Sequence, residues 1–148
     1  MNRIIAAALV AFAVTAPAAR AADMIARVVE ADFADIAFAV ENAIIGRGLV
    51  IDSVSHVGAM LERTRADVGG TATLFTAAEI YQFCSASVSR AVMEADPANL
   101  RFCPYGIYVY ERPEAPGQVT VAFNAYPDGA MQAVQALLSG IVADALGD

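Results

Sequence analysis

The chain has 148 residues, of which 58% are hydrophobic and 17% charged, and it carries a formal net charge of −7 at pH 7. That length suits one domain, and that apolar share excludes intrinsic disorder, because there is ample surface to bury. Alanine supplies 33 of the residues, so the high mean hydropathy of +0.54 reflects small side chains more than a membrane protein, and the one long, nearly charge-free apolar stretch is N-terminal.

Residues 1–22 divide into a short basic start with Arg3, an apolar run over 4–16 and a small-residue end. Ala19-Arg20-Ala21 supplies the small-x-small pattern of a cleavage site. We expect a signal peptide cut after Ala21 or Ala22, and hence a periplasmic or secreted protein. A membrane anchor is the alternative reading, but a helix of ~13 residues reaches only about 20 Å, short of the ~30 Å apolar core of a bilayer. After residue 22, arginines at 27, 47, 63, 65, 90, 101 and 112 stand against 16 carboxylates, with no lysine. Such an acidic domain is disfavoured as a binder of phosphate backbones or anionic lipid surfaces, so neither nucleic acid nor a membrane is an expected partner.

Residues 23–148 read as a single domain. MIARVVEA over 24–31 is a first strand, and Asp32 then caps a helix with Phe33, Ile36, Ala37, Val40 and Ile44 on one face, ended by Gly46 and Gly48. LVIDSVSHV over 49–57 is a second strand, with Val50, Asp52, Val54 and His56 sharing one parity and Ile51, Ser53, Ser55 and Val57 the other. A short helical stretch from Gly58 stops at Gly69-Gly70. AEIYQFC over 78–84 is a third strand, and Ser85 or Ser87 caps a helix that stops near Pro97. Residues 102–112 and 118–126 make a hairpin around ERPEAPGQ, in which Ile107 and Val109 face Val119, Val121 and Phe123, and Tyr108 and Tyr110 face away. Asp128 is the expected cap of a last amphipathic helix through Val142.

The order β-α-β-(α)-β-α-β-β-α implies an α+β domain, with a mostly antiparallel sheet of about five strands and helices packed on one face. A doubly wound nucleotide fold is set aside, since no Gly-x-Gly-x-x-Gly follows the first strand and no Gly-Lys pair exists.

Cys84 and Cys103 are the two cysteines, at strand ends on either side of one helix. In an exported protein an even count favours a disulfide. A parallel crossover would hold the two apart by ~15 Å or more, whereas a disulfide needs Cα atoms ~6 Å apart. Residues 97–102, if extended, span roughly 20 Å and return the chain to the start of the helix. Pairing therefore requires the third and fourth strands to be antiparallel. A redox-active or metal-binding thiol pair and two unpaired thiols are the alternatives, and the first is weakened by the lack of a Cys-x-x-Cys spacing.

His56 is the single histidine. With Met60, Cys84 and Cys103 it would make a soft site for copper or zinc, or an axial ligand for haem, although a half-buried hydrogen-bonding histidine is the plainer reading. Ser85, Ser87 and Ser89 lack a Gly-x-Ser-x-Gly elbow, and Glu94 and Asp96 fall where solvated side chains are expected. No catalytic set stands out and no cofactor is expected.

ADFADIAFAVENAIIGRGL, EIYQFCSASVSRAVMEADP and RFCPYGIYVYE together resemble the DUF302 family of small α+β domains over about residues 29–126. Cys84, Asp96-Pro97 and Cys103-Pro104 are the most specific points. Where the usual pattern has Asn-Pro after the first cysteine and Asn after the second, this chain has Ser85-Ala86 and Pro104. The resemblance implies the fold, a tendency to dimerise and a role for the cysteines, and it supplies no reaction.

Two functions follow as expectations. The first is a non-catalytic exported module, stapled by Cys84 and Cys103 and dimeric, that binds a protein or small ligand on the sheet face free of helices, where Tyr81, Phe83, Tyr108 and Tyr110 would lie. The second is a thiol-redox or metal-handling protein acting through Cys84 and Cys103 with His56 as a third ligand.

Overall fold

The computed structural model describes residues 24–148, so the expected leader over 1–22 lies outside the described residues. Five strands form one sheet: β1 (Met24–Glu30), β2 (Val50–Ser55), β3 (Ala77–Cys84), β4 (Tyr105–Glu111) and β5 (Gln118–Asn124). Their spatial order is β1-β5-β4-β3-β2, and every neighbouring pair is antiparallel. The α+β expectation and its element order hold.

Capping residues set the helix starts. Asp32 accepts the Ala34 N–H at 2.8 Å and begins α1 (Phe33–Gly46), and Ser85 accepts the Val88 N–H to begin α3 (Ala86–Ala95). Between them lies α2 (Val57–Thr64), which packs on β3. The last helix, α4 (Gln132–Leu146), starts four residues after the expected cap at Asp128. Its approach is held instead by two glutamines: Gln132 Nε2 donates to the carbonyls of Tyr126 and Pro127, and Gln135 Oε1 accepts the Tyr126 N–H at 3.1 Å.

α1 packs on α4 and on β2, β3 and β4, while α3 packs on α4. Between these helices and the sheet lie Val40, Ile44, Phe83, Ile107, Val121 and Leu138, all fully buried, each stabilising the fold by ~2 kcal/mol. Arg47, just past α1, binds Asp144 of α4 at 2.7 Å.

Two expectations about the connections change. In β2 the register shifts between Ile51 and Ser53, so Asp52 is an inserted residue and Ile51 and Val54 both pack against the core. The simple alternation through Val50, Asp52, Val54 and His56 therefore fails. Residues Pro97–Phe102 form a 3-10 helix rather than an extended return. Asp96 caps it through the Ala98 N–H at 2.9 Å, and the buried Asn99 amide donates to the Val92 carbonyl of α3 at 2.9 Å. The first satisfies an N–H at the start of the 3-10 helix, and the second ties that helix to the last turn of α3, whose Val92 carbonyl also accepts the Asp96 N–H.

Candidate functional site

The sheet has one face under α1, α3 and α4 and one face that these helices leave uncovered. In β3 and β4 odd-numbered residues pair with odd-numbered ones: Tyr81 is opposite Ile107, and Ile80 is opposite Tyr108. Tyr81 and Phe83 consequently lie on the helix side, 3% and 0% exposed, and the four rings expected on one face divide two and two. Tyr108 and Tyr110 are half-buried on the uncovered side, beside Ile80 and Ala78. Phe83 joins an inner aromatic cluster instead, edge-on to Tyr105 at 6.4 Å, with Tyr105 edge-on to Tyr126 at 6.1 Å.

On the uncovered side Tyr108 stands between two depressions. One, of about 190 Å³, is walled by Met24, Val57, Phe75, Ile80 and Tyr110, with Phe75 edge-on to Tyr110 at 5.6 Å. The other, of about 280 Å³, runs past Gly106 towards Arg101 and Pro104. A Cβ at Gly106 would lie 3.3 Å from the Tyr108 ring, so glycine lets that ring lie close to the strand. Burial raises the Tyr108 hydroxyl above the usual phenol range, and a hydrogen bond with Asn124 offsets part of that rise.

Cys84 and Cys103 are joined in a disulfide, with Cα atoms 6.5 Å apart and a sequence separation of 19. The bond links the end of β3 to the residue after the 3-10 helix. His56 lies towards the opposite end of β3, where Ser55 pairs with Ile80. The five residues from Glu79 to Cys84 span about 17 Å of strand, so the imidazole and the cysteines are not one site. Met60 is exposed on α2, and its carbonyl accepts the Thr64 hydroxyl. Among the described residues no group of three or more His, Cys, Asp or Glu side chains is placed to hold a metal ion. A copper, zinc or haem site built from His56, Met60, Cys84 and Cys103 is therefore not assembled, because the thiols are consumed in the disulfide and the histidine is at the wrong end of the strand.

His56 has a different partner, one that its spacing in the sequence does not reveal. Its Nδ1 lies 2.9 Å from Glu79 Oε1, and the Tyr81 hydroxyl donates to Glu79 Oε2 at 2.7 Å. Burial, and then the hydrogen-bonded Glu79 carboxylate, push the Tyr81 hydroxyl well above the usual phenol range, so it remains a donor. Gly58 makes the arrangement possible: a Cβ there would lie 2.7 Å from the Ala78 backbone nitrogen, so α2 seats directly on β3. The imidazole borders a cleft of about 690 Å³ whose walls include Phe33, Ala59, Phe75 and Pro113.

These features define a small disulfide-stapled α+β domain with one face of its sheet uncovered. The chain belongs to the DUF302 family, a domain of unknown function, whose family model matches residues 25–146. It is similar in fold to the crystal structure of an uncharacterized conserved DUF302 protein from Bacillus stearothermophilus, with a TM-score of 0.57 and 16% sequence identity, covering 82% of this chain and 88% of that one. No curated protein matches the chain. Among the described residues no helix is long and apolar enough to cross a membrane.

Proposed function

We propose that this protein is an exported, non-catalytic binding module that works as a homodimer, its two copies meeting on the uncovered sheet face. One observation carries the reading: the centre of that face holds no acid or base and is mostly apolar, the polar side chains beside Tyr108 and Tyr110 being the uncharged Thr120, Gln82 and Asn124. Along β1, β4 and β3 it presents Val28, Tyr108, Tyr110 and Ile80, with the uncharged Thr120 of β5 between Val28 and Tyr110. An antiparallel face made for water alternates to polar side chains. In a chain of net charge −7, an uncharged face is one on which two copies meet without like-charge repulsion.

Export is supported by the composition of residues 1–22 and by the disulfide, which suits an oxidising compartment such as the periplasm. The metal-handling alternative loses support from the distance between His56 and the cysteines. Light scattering on the purified protein at micromolar concentration tests the dimer. The expected mass is that of two chains, falling to one chain in Tyr108→Asp with an unchanged circular dichroism spectrum. A single-chain mass for the unsubstituted protein overturns the proposal.

A further inference from the structure

The chain of hydrogen bonds from Tyr81 through Glu79 to His56 fixes the state of an imidazole that is otherwise open to solvent. The Glu79 carboxylate can only accept, and it already takes the Tyr81 hydroxyl proton on Oε2, so His56 Nδ1 must be the donor to Oε1. In the neutral ring the lone pair is then on Nε2. The Glu79 side chain is 20% exposed and that of His56 66%, so the ring is anchored through Nδ1 and is otherwise largely open to solvent.

His56 borders a cleft whose other walls are largely apolar: Phe33, Ala59, Phe75, Ala78 and Pro113. At about 690 Å³ the cleft is of the size that holds small organic molecules, and a few fixed polar groups among apolar walls is the composition such sites have. Its second carboxylate, Glu62, is already engaged by Arg65 at 3.0 Å and by the Thr73 hydroxyl at 3.0 Å, and so is not a free counter-ion. Two carboxylates at the border and a net charge of −7 disfavour anions. What fits is a neutral molecule with an aromatic body and one hydroxyl to donate.

We propose that the cleft between α2 and β3 is a binding site for a small phenol or aromatic alcohol, the hydroxyl donating to His56 Nε2 and the ring lying among Phe33, Phe75 and Pro113. Glu79 and Tyr81 are positioning residues: they hold the imidazole in the tautomer that accepts. The cleft shares Phe75 and Ala78 with the depression beside Tyr108 on the proposed dimer face, but its hydrogen-bonding group, His56, does not line that depression, so a monomeric protein would leave this reading standing.

His56 is the only histidine, so its two ring C–H signals in a proton–carbon NMR spectrum are unambiguous. We would titrate the protein at about pH 8, where imidazole is ordinarily neutral, with phenol, toluene and benzoate as separate probes. Phenol is expected to shift both imidazole signals saturably and to bind about fivefold more tightly than toluene, the worth of one neutral hydrogen bond. Benzoate is expected to bind more weakly than either. In His56→Ala the phenol preference should vanish while toluene still perturbs the Phe33 and Phe75 ring signals, a readout that also certifies the fold. Equal affinity for phenol and toluene, tighter binding of benzoate, or no saturable imidazole shift with phenol up to solubility overturns the proposal.

Discussion

Tyr81 shows how one residue's environment becomes a property of the whole chain. Burial raises its hydroxyl above the usual phenol range, with the Glu79 carboxylate adding to the effect; burial does the same at Tyr126, reinforced by Tyr108 and Tyr105, and at Tyr108. An acid whose folded pKa exceeds its unfolded value of 10.0 holds its proton more tightly in the folded state. The stability this contributes is complete below about pH 10 and is lost as pH rises through the higher folded values. Urea unfolding midpoints should therefore stay level up to about pH 9.5 and fall steeply above it, while phenolate absorbance lags behind that of the denatured chain. A level midpoint up to about pH 12 would contradict the burial of these hydroxyls.

The same residue marks what the sequence does not disclose. Tyr81 and Phe83 alternate correctly along β3, yet nothing local says which side of the sheet they meet. That is set by the pairing of β3 with β4 across a helix and a 3-10 turn, and a shift of one residue reverses every side chain. The pairing of His56 with Glu79 spans 23 positions and follows no helical or strand period. A faint signal was there: Glu79 shares parity with Tyr81, so a carboxylate beside the core had to find donors.

Elements were legible where their causes are local. Asp32 and Ser85 begin helices because a side-chain oxygen needs only the next two or three N–H groups, and both caps are found where the residue types place them. The start of α4 and the insertion at Asp52 were not, since they depend on Tyr126 and on the partner strand. Between elements two contacts are decisive. The disulfide closes β3, α3 and the 3-10 helix into one loop, and replacing both cysteines by alanine should cost about 3 kcal/mol by the chain-entropy argument, read from urea unfolding. An unfolding curve that does not move would mean that Asn99 and the helix packing alone define this loop. Gly58→Ala would force a methyl against the β3 backbone at Ala78, prising α2 away; a loss of about 1–3 kcal/mol is expected, together with a changed His56 ring signal as the Glu79 contact opens. Unchanged stability and an unchanged signal would show that α2 is not seated as described.

At the scale of the whole molecule the question is why a protein this acidic keeps an apolar sheet face. Like charges oppose any encounter between two copies, and the opposition is least where no acid lies between them, at Tyr108, Tyr110 and Ile80. A two-fold contact uses the same patch twice, so each substitution counts twice. Truncating a buried tyrosine at the centre of an interface costs ~2 kcal/mol, and Tyr108→Ala should therefore weaken the dimer by ~4 kcal/mol, close to a thousandfold in dissociation constant. Screening supplies an independent check. If acidic surfaces elsewhere repel and the contact itself is uncharged, raising salt from about 0.05 to 0.5 M should strengthen dimerisation, because screening removes the repulsion and leaves apolar burial intact. Sedimentation across that range measures it. A dimer that weakens with salt would have to be held by ion pairs, which would place the contact at a charged surface rather than on the uncovered sheet.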